Sequence, residues 1–595
     1  MSITSGGLVT YLVKTNGNGI LGTINVHSIM VDKGVNKIST AKLFILDGDP
    51  SAREFKVSSS NTFVPGNTIS IEAGYDSNNK LLFEGIITKQ RIKVDAIVGS
   101  MLEIECRDEA IKMAVGRKTS TYSKKKDSEI MQSIIGNYSK LSSDVSATPT
   151  VWPEQVQYYA TDWDFILLRA EANGFIVTTL NGKVSVFPPN KETLPVLTVE
   201  YGDNLLEFNA ELNSVNQIDS VQGSSWDYQT QKVVRSQAKS NYAGAGNLST
   251  KKLSKVVDLG EYKVQTTAPL NTSDLSNWSQ AVITKSEYAK IQGEVKFQGT
   301  SLVEPGKYIR LNGLGDRFNG GHLASSILHT ISDGNWITEV AIGVSSNWFT
   351  QEPGVMATPA SGLLPGAQGL FNGTVKKMYE DPDNQYRILI DVPMFDATGK
   401  GIWARLANFY STSGAGAFFF PEVGDEVVIG FLNQDPRFPI ILGSLYSSIK
   451  NKPYSNLTPN EKNSMKAIVS KKGLSMEFDD ENVVLTFNTP NKNKAVFSDQ
   501  DKKITIQDEN GNSIEMNEAG ITIKSSKDIN IQASEKLILK GNTGVEIQSS
   551  GGDVTIEGMN VQVLADAEFS AKGSATAELV GGGETIIKGA MVMIN

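Results

Sequence analysis

The most regular pattern of apolar and polar positions lies in the last part of the chain. From Ile521 onward, apolar residues recur every eight positions, and each is followed two positions later by a second apolar residue. Because side chains at i and i+2 lie on the same face of a strand, each octad predicts a short strand with two inward apolar residues and then a corner. The first positions of the octads are Ile521, Ile529, Leu537, Val545, Val561, Phe569 and Ala577, and their partners are Ile523, Ile531, Leu539, Ile547, Val563, Ala571 and Leu579.

The octad pattern slips once by a single residue. Val554 and Ile556 lie one position late, and Val561 restores the frame. A slip of one residue turns a strand over, so we expect a bulge near Gly551 and Gly552. Near residues 585–587 the frame is ambiguous again.

An eight-residue strand cannot close a prism alone, and the longer period of a single-chain β-helix is absent from this sequence. The economical arrangement is three chains, each forming one wall of a triangular prism without open lateral edges. Stacked, hydrogen-bonded strands exclude proline, and none follows Pro490; a narrow interior excludes rings, and Phe569 is the only aromatic residue after position 520. We expect Ile529 and Ile531 to point to the threefold axis and Asn530 to point outward.

Residues 1–350 alternate β-type runs with a few helical segments. The clearest helix is predicted for residues 162–173, where Thr161 is a favourable N-cap and Gly174 is a stop signal. A second helix is predicted for residues 128–137. The apolar residues expected to share one face of the first helix are Phe165, Leu168 and Ala172. Predicted strands include residues 81–88, 101–106, 175–179 and 184–187, the last two joined at Asn181-Gly182, which is a strong hairpin signal.

The middle of the chain predicts a small barrel between two linkers. Residues 351–366 are rich in Pro, Gly, Ala and Ser, and residues 450–464 are polar and carry two prolines. Between the linkers, five short strands within about 75 residues are typical of a Greek-key barrel of the OB type. These strands are predicted at residues 373–378, 387–392, 403–407, 426–431 and 440–442.

The composition narrows the class of protein. The 595 residues suggest about four domains, and 39% apolar with 20% charged residues is ordinary for a globular protein. The net charge of −9 and the absence of a long basic run argue against a nucleic-acid binder. No apolar stretch of about 18 residues predicts a membrane span, and residues 1–7 show no secretory signal. The single cysteine, Cys106, excludes an internal disulfide and indicates folding in a reducing cytoplasm.

The residues that could take part in catalysis or metal binding are better explained by structural roles. Asp479 and Asp480 could form an acid–base pair or metal site, but they fall in a predicted turn, where Asp is favoured. His322 and His329 lie seven positions apart in a β-rich segment; if that segment is one strand, they lie on opposite faces, so a shared metal ion is not expected. Cys106 is interpreted as a buried strand residue, and the glycine-rich segments at 313–315 and 581–583 as a turn and a corner. The sequence therefore predicts no catalytic, cofactor-binding or metal-binding residues and no cofactor.

At the barrel and the repeat together, the chain resembles the VgrG proteins, the spikes of type VI secretion systems, which fuse the hub and needle proteins of phage tails. The resemblance is strongest at residues 414–443, where Pro421-Glu422-Val423-Gly424-Asp425-Glu426-Val427 stands in the barrel. It also includes Gly430-Phe431, Asp435-Pro436, Pro439-Ile440, Trp403-Ala404-Arg405-Leu406-Ala407, Phe478-Asp479-Asp480, residues 508–511, residues 514–523, residues 162–174, Phe83-Glu84-Gly85 and His329.

The resemblance implies a mainly β protein of three parts that acts without catalysis. The parts are a hub-like region of two barrel-like domains with a few helices (1–355), an OB-fold domain (371–449) and a trimeric β-helix needle (473–595), separated by a linker (356–370) and a linker and neck (450–472). The implied partners are two further copies, an Hcp-like inner tube, baseplate wedge proteins, a PAAR-type tip at residues 589–595 and effectors, with the target membrane contacted only mechanically. Assembly is expected in the bacterial cytoplasm, followed by secretion or injection.

The sequence differs from the phage needle in one respect, and it leaves the biological setting of the protein open. About 25 residues separate Tyr446 from the first predicted needle strand, too few for a lysozyme domain, and no effector domain is expected after the needle. Hub–needle fusions of this kind also occur in extracellular phage-tail-like particles and phages, so either setting fits. A β-helix polysaccharide hydrolase is the alternative from another class, which would require paired acids in a cleft on a long-coil helix.

Overall fold

A computed structural model describes residues 7–97, 99–190, 194–395, 398–455 and 459–594. Residues 1–6, most of the segment in which no secretory signal was found, and Asn595, the last residue of the predicted tip, lie outside the described residues. The chain divides into two compact units, Met1–Leu445 and Tyr446–Asn595. Strands dominate both units, which confirms the predicted mainly β class.

The amino-terminal part of the first unit contains strands β1–β21 and helices α1–α4. The strands are β1 Val9–Thr15, β2 Asn18–Gly19, β3 Val26–Gly34, β4 Thr40–Leu46, β5 Thr68–Tyr75, β6 Asn78–Asp95, β7 Gly99–Arg107, β8 Lys118–Lys126, β9 Ser142–Val145, β10 Val151–Ala160, β11 Ile176–Leu180, β12 Lys183–Phe187, β13 Leu197–Glu200, β14 Leu205–Leu212, β15 Ser220–Asp227, β16 Lys232–Lys239, β17 Tyr262–Thr266, β18 Ile291–Gln298, β19 Tyr308–Asn312, β20 Gly320–Ser332 and β21 Asn335–Ile342. The helices are α1 Asp127–Gly136, α2 Asp162–Ala172, α3 Thr250–Ser254 and α4 Thr272–Tyr288.

A thirteen-stranded sheet joins two hydrophobic cores in this region. Its strand β20 pairs with β19 through its first half and with β3 through its second half, and the register shifts between Ala324 and Ser326. Such a shift bends a strand and increases its twist. Ala324 and Ile327 accordingly pack in one core, whereas Ile331 packs in the other with Trp336.

Smaller sheets and the helices complete the amino-terminal region. The helices α1 and α2 pack with β11 and β12 around a core that includes Ile130, Ile166 and Val184. The long helix α4 packs on β15 and β16 through Val282 and Ile283. None of the helices that the structure describes has the length and apolar character needed to cross a bilayer.

Five strands of the middle region close into a barrel, as the sequence predicted. They close in the order β22-β23-β24-β28-β27 around a core that includes Val375, Ile390 and Ile429. The strands are β22 Phe371–Lys377, β23 Ile388–Asp391, β24 Ile402–Leu406, β25 Ser411–Thr412, β26 Ala415–Gly416, β27 Glu426–Phe431 and β28 Pro439–Ser444, of which β25 and β26 form a separate hairpin.

The Pro- and Gly-rich segment before the barrel is held by hydrogen bonds on both sides. On the amino-terminal side, the Arg117 guanidinium donates to the carbonyls of Gly354 and Val355. On the barrel side, the Asn433 side chain donates to Ser361 Oγ at 3.0 Å, and the Ala367 N–H donates to the Gln434 carbonyl at 2.7 Å. These contacts fix the segment at both ends.

The second unit begins with a seven-stranded antiparallel meander in which each strand pairs with the next. Its first strand lies within residues 450–472, which the sequence had assigned to linker and neck, so regular structure begins earlier than expected. The strands are β29 Met465–Val469, β30 Ser475–Asp479, β31 Val484–Asn488, β32 Lys494–Ser498, β33 Lys503–Gln507, β34 Ser513–Asn517 and β35 Gly520–Lys524.

The local signals read from the sequence are confirmed in most places. Thr161 caps α2 by accepting from the Asp164 N–H at 3.0 Å. Asn181 and Gly182 both have positive φ, as a tight β11–β12 hairpin requires. Of the three apolar residues predicted to share one face of α2, Phe165 is buried, and Leu168 and Ala172 are half-buried. The fully buried apolar residues of α2 are Trp163, Phe165, Ile166, Leu167 and Ala170.

Candidate assembly interface

One face of the seven-stranded sheet is a continuous apolar surface. Residues directly opposite each other in neighbouring strands share a face of the sheet, so the register defines two parallel stripes across it. One stripe is Ile468, Met476, Phe487, Ala495, Ile506, Ile514 and Ile523, and the other, after Lys466, is Phe478, Leu485, Phe497, Ile504, Met516 and Ile521. We call these two stripes together the apolar face.

The opposite face of the same sheet is predominantly polar. The residues between the two stripes, which point the other way because side chains alternate along a strand, are Ala467, Glu477, Thr486, Val496, Thr505, Glu515 and Thr522. An antiparallel sheet with this division packs one side on a core and turns the other side to water. The apolar face therefore requires a covering partner.

Within a single chain the apolar face has no cover. Phe487 is 41% exposed and Ile523 is 56% exposed. A groove of about 710 Å³ runs along this face and is lined by Phe487, Ile506, Ile514, Ile523 and Ile529, among others. Ile529 thus continues the apolar face from the last strand of the sheet into the octads.

The backbone after the sheet bends at a regular interval. Bends begin at residues 526, 534, 542 and 550 and again at 566, 574, 582 and 590, an interval of eight residues in each series. The octad read from the apolar positions is therefore also the repeat of the folded chain. The spacing stays at eight through residues 585–587, where the sequence frame was ambiguous.

The predicted slip appears at the expected place. The bend at residues 550–552 is three residues long, the next bend is at residue 559, and the following one begins at residue 566. One repeat of nine residues is thus followed by one of seven, which restores the frame. Gly551 and Gly552 lie in the long bend, where one extra residue is accommodated.

The octads bury almost nothing in one chain. Ile529 is 52% exposed, Ile531 is 66% exposed, and residues of both faces are exposed throughout residues 527–594. Contiguous exposed apolar surface of this extent marks an interaction site. The repeat therefore has a regular backbone and two apolar positions per octad, and it lacks a core of its own.

The acidic pair weighed as possible chemistry lies in a turn. Asp479 Oδ1 accepts from the backbone N–H groups of Glu481 and Asn482, and Asp480 forms an ion pair with Lys466. The side-chain hydrogen bond from Asn482, together with these backbone bonds, lowers the pKa of Asp479. Both carboxylates are thereby engaged in local structure.

The two histidines lie in β20 with different partners. His322 contacts the Phe318 carbonyl at 2.7 Å, and burial lowers its pKa to about 4. His329 contacts Thr338 Oγ1 at 3.0 Å, and complete burial holds its pKa well below 6.5. Both rings are neutral at pH 7. Among the described residues there is no cluster of three or more His, Cys, Asp or Glu side chains suited to a metal ion.

Cys106 is a fully buried residue of β7, as predicted, and burial raises the pKa of its thiol. The glycines at 313 and 315 have positive φ in the connection between β19 and β20, as expected of a turn. The second glycine-rich segment, residues 581–583, contains the bend at residues 582–583, so it forms a corner of the repeat.

The sequence did not reveal a buried polar network around Asp127. The Asp127 carboxylate accepts two hydrogen bonds from the Arg169 guanidinium at 2.8 and 2.9 Å, one from Asn173 at 2.9 Å and one from the Trp152 indole at 3.2 Å. The residues of this network line a cavity of about 270 Å³, and Asp274, in the first turn of α4, lines the same cavity. The sequence does show that Asp127 is an acidic residue at the start of a predicted helix. Its hydrogen-bond partners, however, lie on other elements, and no local pattern connects them to it.

Sequence comparison matches three parts of the chain to known families. Residues 5–333 match the Alg8 N-terminal domain, and residues 371–446 match the type VI secretion system/phage-baseplate injector OB domain. Residues 482–567 match the phage baseplate V C-terminal trimerisation domain. The last of these matches includes most of the apolar face and the first octads.

Individual relatives match over short segments. The type VI secretion system spike protein VgrG3 of Vibrio cholerae is 42% identical over 53 residues, which are 9% of this chain and 5% of that relative. The spike protein VgrG1a of Pseudomonas aeruginosa is 31% identical over 78 residues, which are 13% of this chain and 12% of that relative. The chain thus matches a small part of the length of these relatives.

Solved structures of tail and spike proteins align with the chain at low sequence identity. A 43 kDa tail protein of prophage MuSo2 from Shewanella oneidensis aligns with a TM-score of 0.43 and 12% identity, covering 57% of this chain and 98% of that one. A chain of the Francisella PdpA–VgrG complex aligns with a TM-score of 0.37 and 12% identity, covering 87% and 80%.

The matched families follow the order of the folded parts. The strands of the closed barrel fall within residues 371–446, and the sheet with the apolar face extends into residues 482–567. Because residues 5–333 are more than half of the 595-residue chain, the chain belongs to the Alg8 N-terminal domain family, and its later parts are similar to the injector OB domain and the phage baseplate trimerisation domain.

Proposed function

We propose that this chain is the homotrimeric spike at the tip of a contractile injection system, where it acts by rigidity and shape and not by catalysis. The observation that carries the proposal is the uncovered apolar face of residues 465–524 and its continuation in the octads. Three copies related by a threefold axis cover this surface with one another, since each supplies one wall of a closed prism.

The free energy gained by closing the prism is large because every octad buries the same set of apolar side chains. Each octad of a trimer contributes six apolar side chains to the axis, two from each chain. Burying one aliphatic side chain contributes roughly 1.5–3 kcal/mol, so each layer adds several times that amount. Such a stack suits a part that transmits force along its axis.

The proposed partners follow from the place of a spike in its machine. The amino-terminal region would contact baseplate wedge proteins and an Hcp-like inner tube, and the needle would receive a PAAR-type tip and carry effectors. Assembly would take place in the bacterial cytoplasm, followed by secretion or injection, and the target membrane would be contacted only mechanically. A type VI secretion system and an extracellular injection particle both fit this description.

The mass of the purified protein in solution tests the proposal. Light scattering coupled to size exclusion should give three times the mass of the chain at micromolar concentration, and the trimer should resist dissociation by SDS. A monomeric protein would contradict the spike and would favour the alternative of a single-chain hydrolase. A dimer would also contradict it, because two walls cannot enclose the axis.

A further inference from the structure

A cleft opens in the amino-terminal region between the start of β10 and the start of α4. Two neighbouring cavities of about 270 and 960 Å³ share four lining residues, Trp152, Ala268, Leu270 and Asp274, and Trp278 also lines the smaller one. We call these five residues the tryptophan cleft. It lies within the first compact unit and takes no part in the apolar face.

Asp274 is the polar centre of the tryptophan cleft. Its side chain lines both cavities although the residue is only 8% exposed. One carboxylate oxygen, Oδ1, accepts from Thr150 Oγ1 at 2.5 Å. Within the described part of the chain, no hydrogen bond reaches Oδ2. Burial raises the pKa of Asp274, and the charge of Asp127 acts in the same direction, against the lowering effect of Thr150.

The position of Asp274 in the helix accounts for only part of this arrangement. A carboxylate in the first turn of a helix is stabilised by the helix dipole, and the capping bond from the Asp274 N–H to Asn271 shows that α4 begins here. The helix dipole does not explain why this carboxylate lines two cavities together with tryptophan side chains. Because Oδ2 accepts no hydrogen bond from the described residues, an N–H group from outside can donate to it without displacing a protein donor.

The charges around the tryptophan cleft indicate a cationic ligand. Asp127 and Arg169 line the smaller cavity but neutralise each other through their paired hydrogen bonds. The remaining charged lining residues are Asp274, Glu154 and Asp227 against Lys124, so three negative charges face one positive charge. One indole of the cleft already accepts a cation, since the Arg169 guanidinium lies 5.4 Å from the Trp152 ring centre.

We propose that the tryptophan cleft binds a basic side chain, lysine or arginine, presented by an extended segment of a partner protein. The aliphatic stem would pack against the indoles, the cation would lie close to an indole face, and its N–H would donate to Asp274 in a charge-assisted hydrogen bond. The proposal goes beyond the spike function and does not depend on trimer formation.

The rim of the larger cavity favours a protein over a free polyamine. Val151 is 54% exposed and Tyr228 is 64% exposed, and both line the larger cavity. Aromatic residues are enriched at protein–protein interfaces. The larger cavity also gives room for the residues that flank the inserted side chain.

The experiment uses the full-length protein and dye-labelled, capped heptapeptides of glycine and serine with one central residue. The central residue is lysine, arginine or norleucine, and binding is followed by fluorescence polarisation at low salt. The lysine or arginine peptide should bind saturably, and norleucine, which keeps the stem and lacks the charge, at least tenfold more weakly. Asp274→Asn should weaken binding of the basic peptide at least tenfold. Asp144→Asn, the same change at an exposed site, should leave it unchanged.

Each other outcome would overturn the proposal. Equal affinity for the norleucine peptide would show that charge is not recognised, and an unchanged affinity of Asp274→Asn would place binding elsewhere. The absence of saturable binding of either basic peptide to the wild-type protein would refute the proposal outright. Trp278→Leu is a second variant that keeps Asp274, and it should also lose at least tenfold in affinity. A basic peptide that binds this variant as tightly as wild type refutes the indole contact.

Discussion

At the scale of single residues, Asp127 joins elements that are distant in the sequence. It begins α1, and its carboxylate accepts from Arg169 and Asn173 at the end of α2 and from Trp152 on β10. Its side chain is only 2% exposed. Burial alone would raise its pKa, but the hydrogen bonds and the charge of Arg169, with the bonds from Asn173 and Trp152, outweigh burial and lower it. Asp127 is therefore ionised in the folded protein.

We predict that Asp127→Asn lowers the free energy of unfolding at pH 7 by about 3 kcal/mol, because it leaves the Arg169 charge without its partner. The loss should shrink in acid. A lowered pKa in the folded state gives stability that is present above the unfolded-state pKa, near 3.8, and is lost as the pH falls through the folded-state pKa. Urea unfolding followed by tryptophan fluorescence measures the difference at pH 7 and below pH 3.8.

Asp144→Asn is the control for this measurement. Asp144 pairs with Lys183 at 2.7 Å, but its side chain is 65% exposed. Exposed ion pairs contribute up to about 1 kcal/mol, so this variant should change the stability little. A similar loss in both variants would mean that the buried network around Asp127 has no special role.

Two neighbouring residues of the repeat test the direction of its side chains. Ile529→Asp should destabilise the trimer by at least about 5 kcal/mol, because three aliphatic side chains leave the axis and three carboxylates meet in a poorly hydrated space. Asn530→Asp should cost little, because its charges stay in water. Thermal melting of both variants measures the contrast. Equal melting temperatures would contradict the inward position of Ile529 and the prism with it.

At the scale of elements, the seven-stranded sheet and the octads share one division of faces. The apolar face ends at Ile521 and Ile523 on β35, which are also the first two apolar positions of the octads. The same inward face thus continues when the chain changes from a meander to single strands with corners. Neither part buries its apolar face within one chain, and in the proposed trimer the same two copies cover both.

We predict that a fragment of residues 451–595 trimerises without the amino-terminal region and the barrel. It contains β29–β35 and all the octads and lies within the second compact unit. Sedimentation equilibrium should give three times the fragment mass, and circular dichroism should show β-structure. A disordered monomer would show that the apolar face needs the rest of the chain for assembly.

Local signals in the sequence predicted the elements whose contacts are local. The β11–β12 hairpin follows from Asn181-Gly182, and the cap of α2 follows from Thr161. The longest helix, α4, was not predicted, because its buried face includes polar residues such as Ser279 and Ser286 that hide the apolar period. The small side chain of Ser279 suits close packing, since a Cβ at Gly223 of β15 would lie only 2.6 Å from Ser279 Oγ.

The candidate interface could be predicted from sequence because its repeat is encoded residue by residue. The eight-residue period and the one-residue slip are both visible in the order of the apolar residues. The tryptophan cleft could not be predicted, because Trp152, Asp274 and Trp278 come together only where the fold brings the residues before β10 next to the start of α4, as in the Thr150–Asp274 hydrogen bond. No spacing in the sequence records that contact.

At the scale of the whole molecule, the two compact units obtain their stability in different ways. The first unit buries large cores within one chain, including Phe83 and Trp336. The second unit exposes its apolar residues in one chain, and in the proposed trimer it buries them against the other copies. Unfolding of the first unit is therefore expected to be an intramolecular event, whereas unfolding of the second unit of the proposed trimer is coupled to dissociation.

Two spectroscopic probes separate these events. All seven tryptophans, the last of which is Trp403, precede the second unit, so tryptophan fluorescence reports on the first unit alone. Circular dichroism reports on strands of both units. We predict that guanidinium unfolding of the full-length protein shows a fluorescence transition whose midpoint is independent of protein concentration, and a further circular dichroism transition whose midpoint rises with it.

The size of the second shift follows from mass action. Dissociation of one trimer into three unfolded chains makes the apparent equilibrium constant for folding depend on the square of the chain concentration, so the stability rises with twice its logarithm. A tenfold increase in concentration should therefore stabilise the trimer by about 2.8 kcal/mol, twice the value for a single tenfold change in an equilibrium constant. Samples equilibrated from both the folded and the unfolded side at three concentrations measure the shift. If neither midpoint moves, the octads are folded within one chain, and the apolar face must be covered by something other than two further copies.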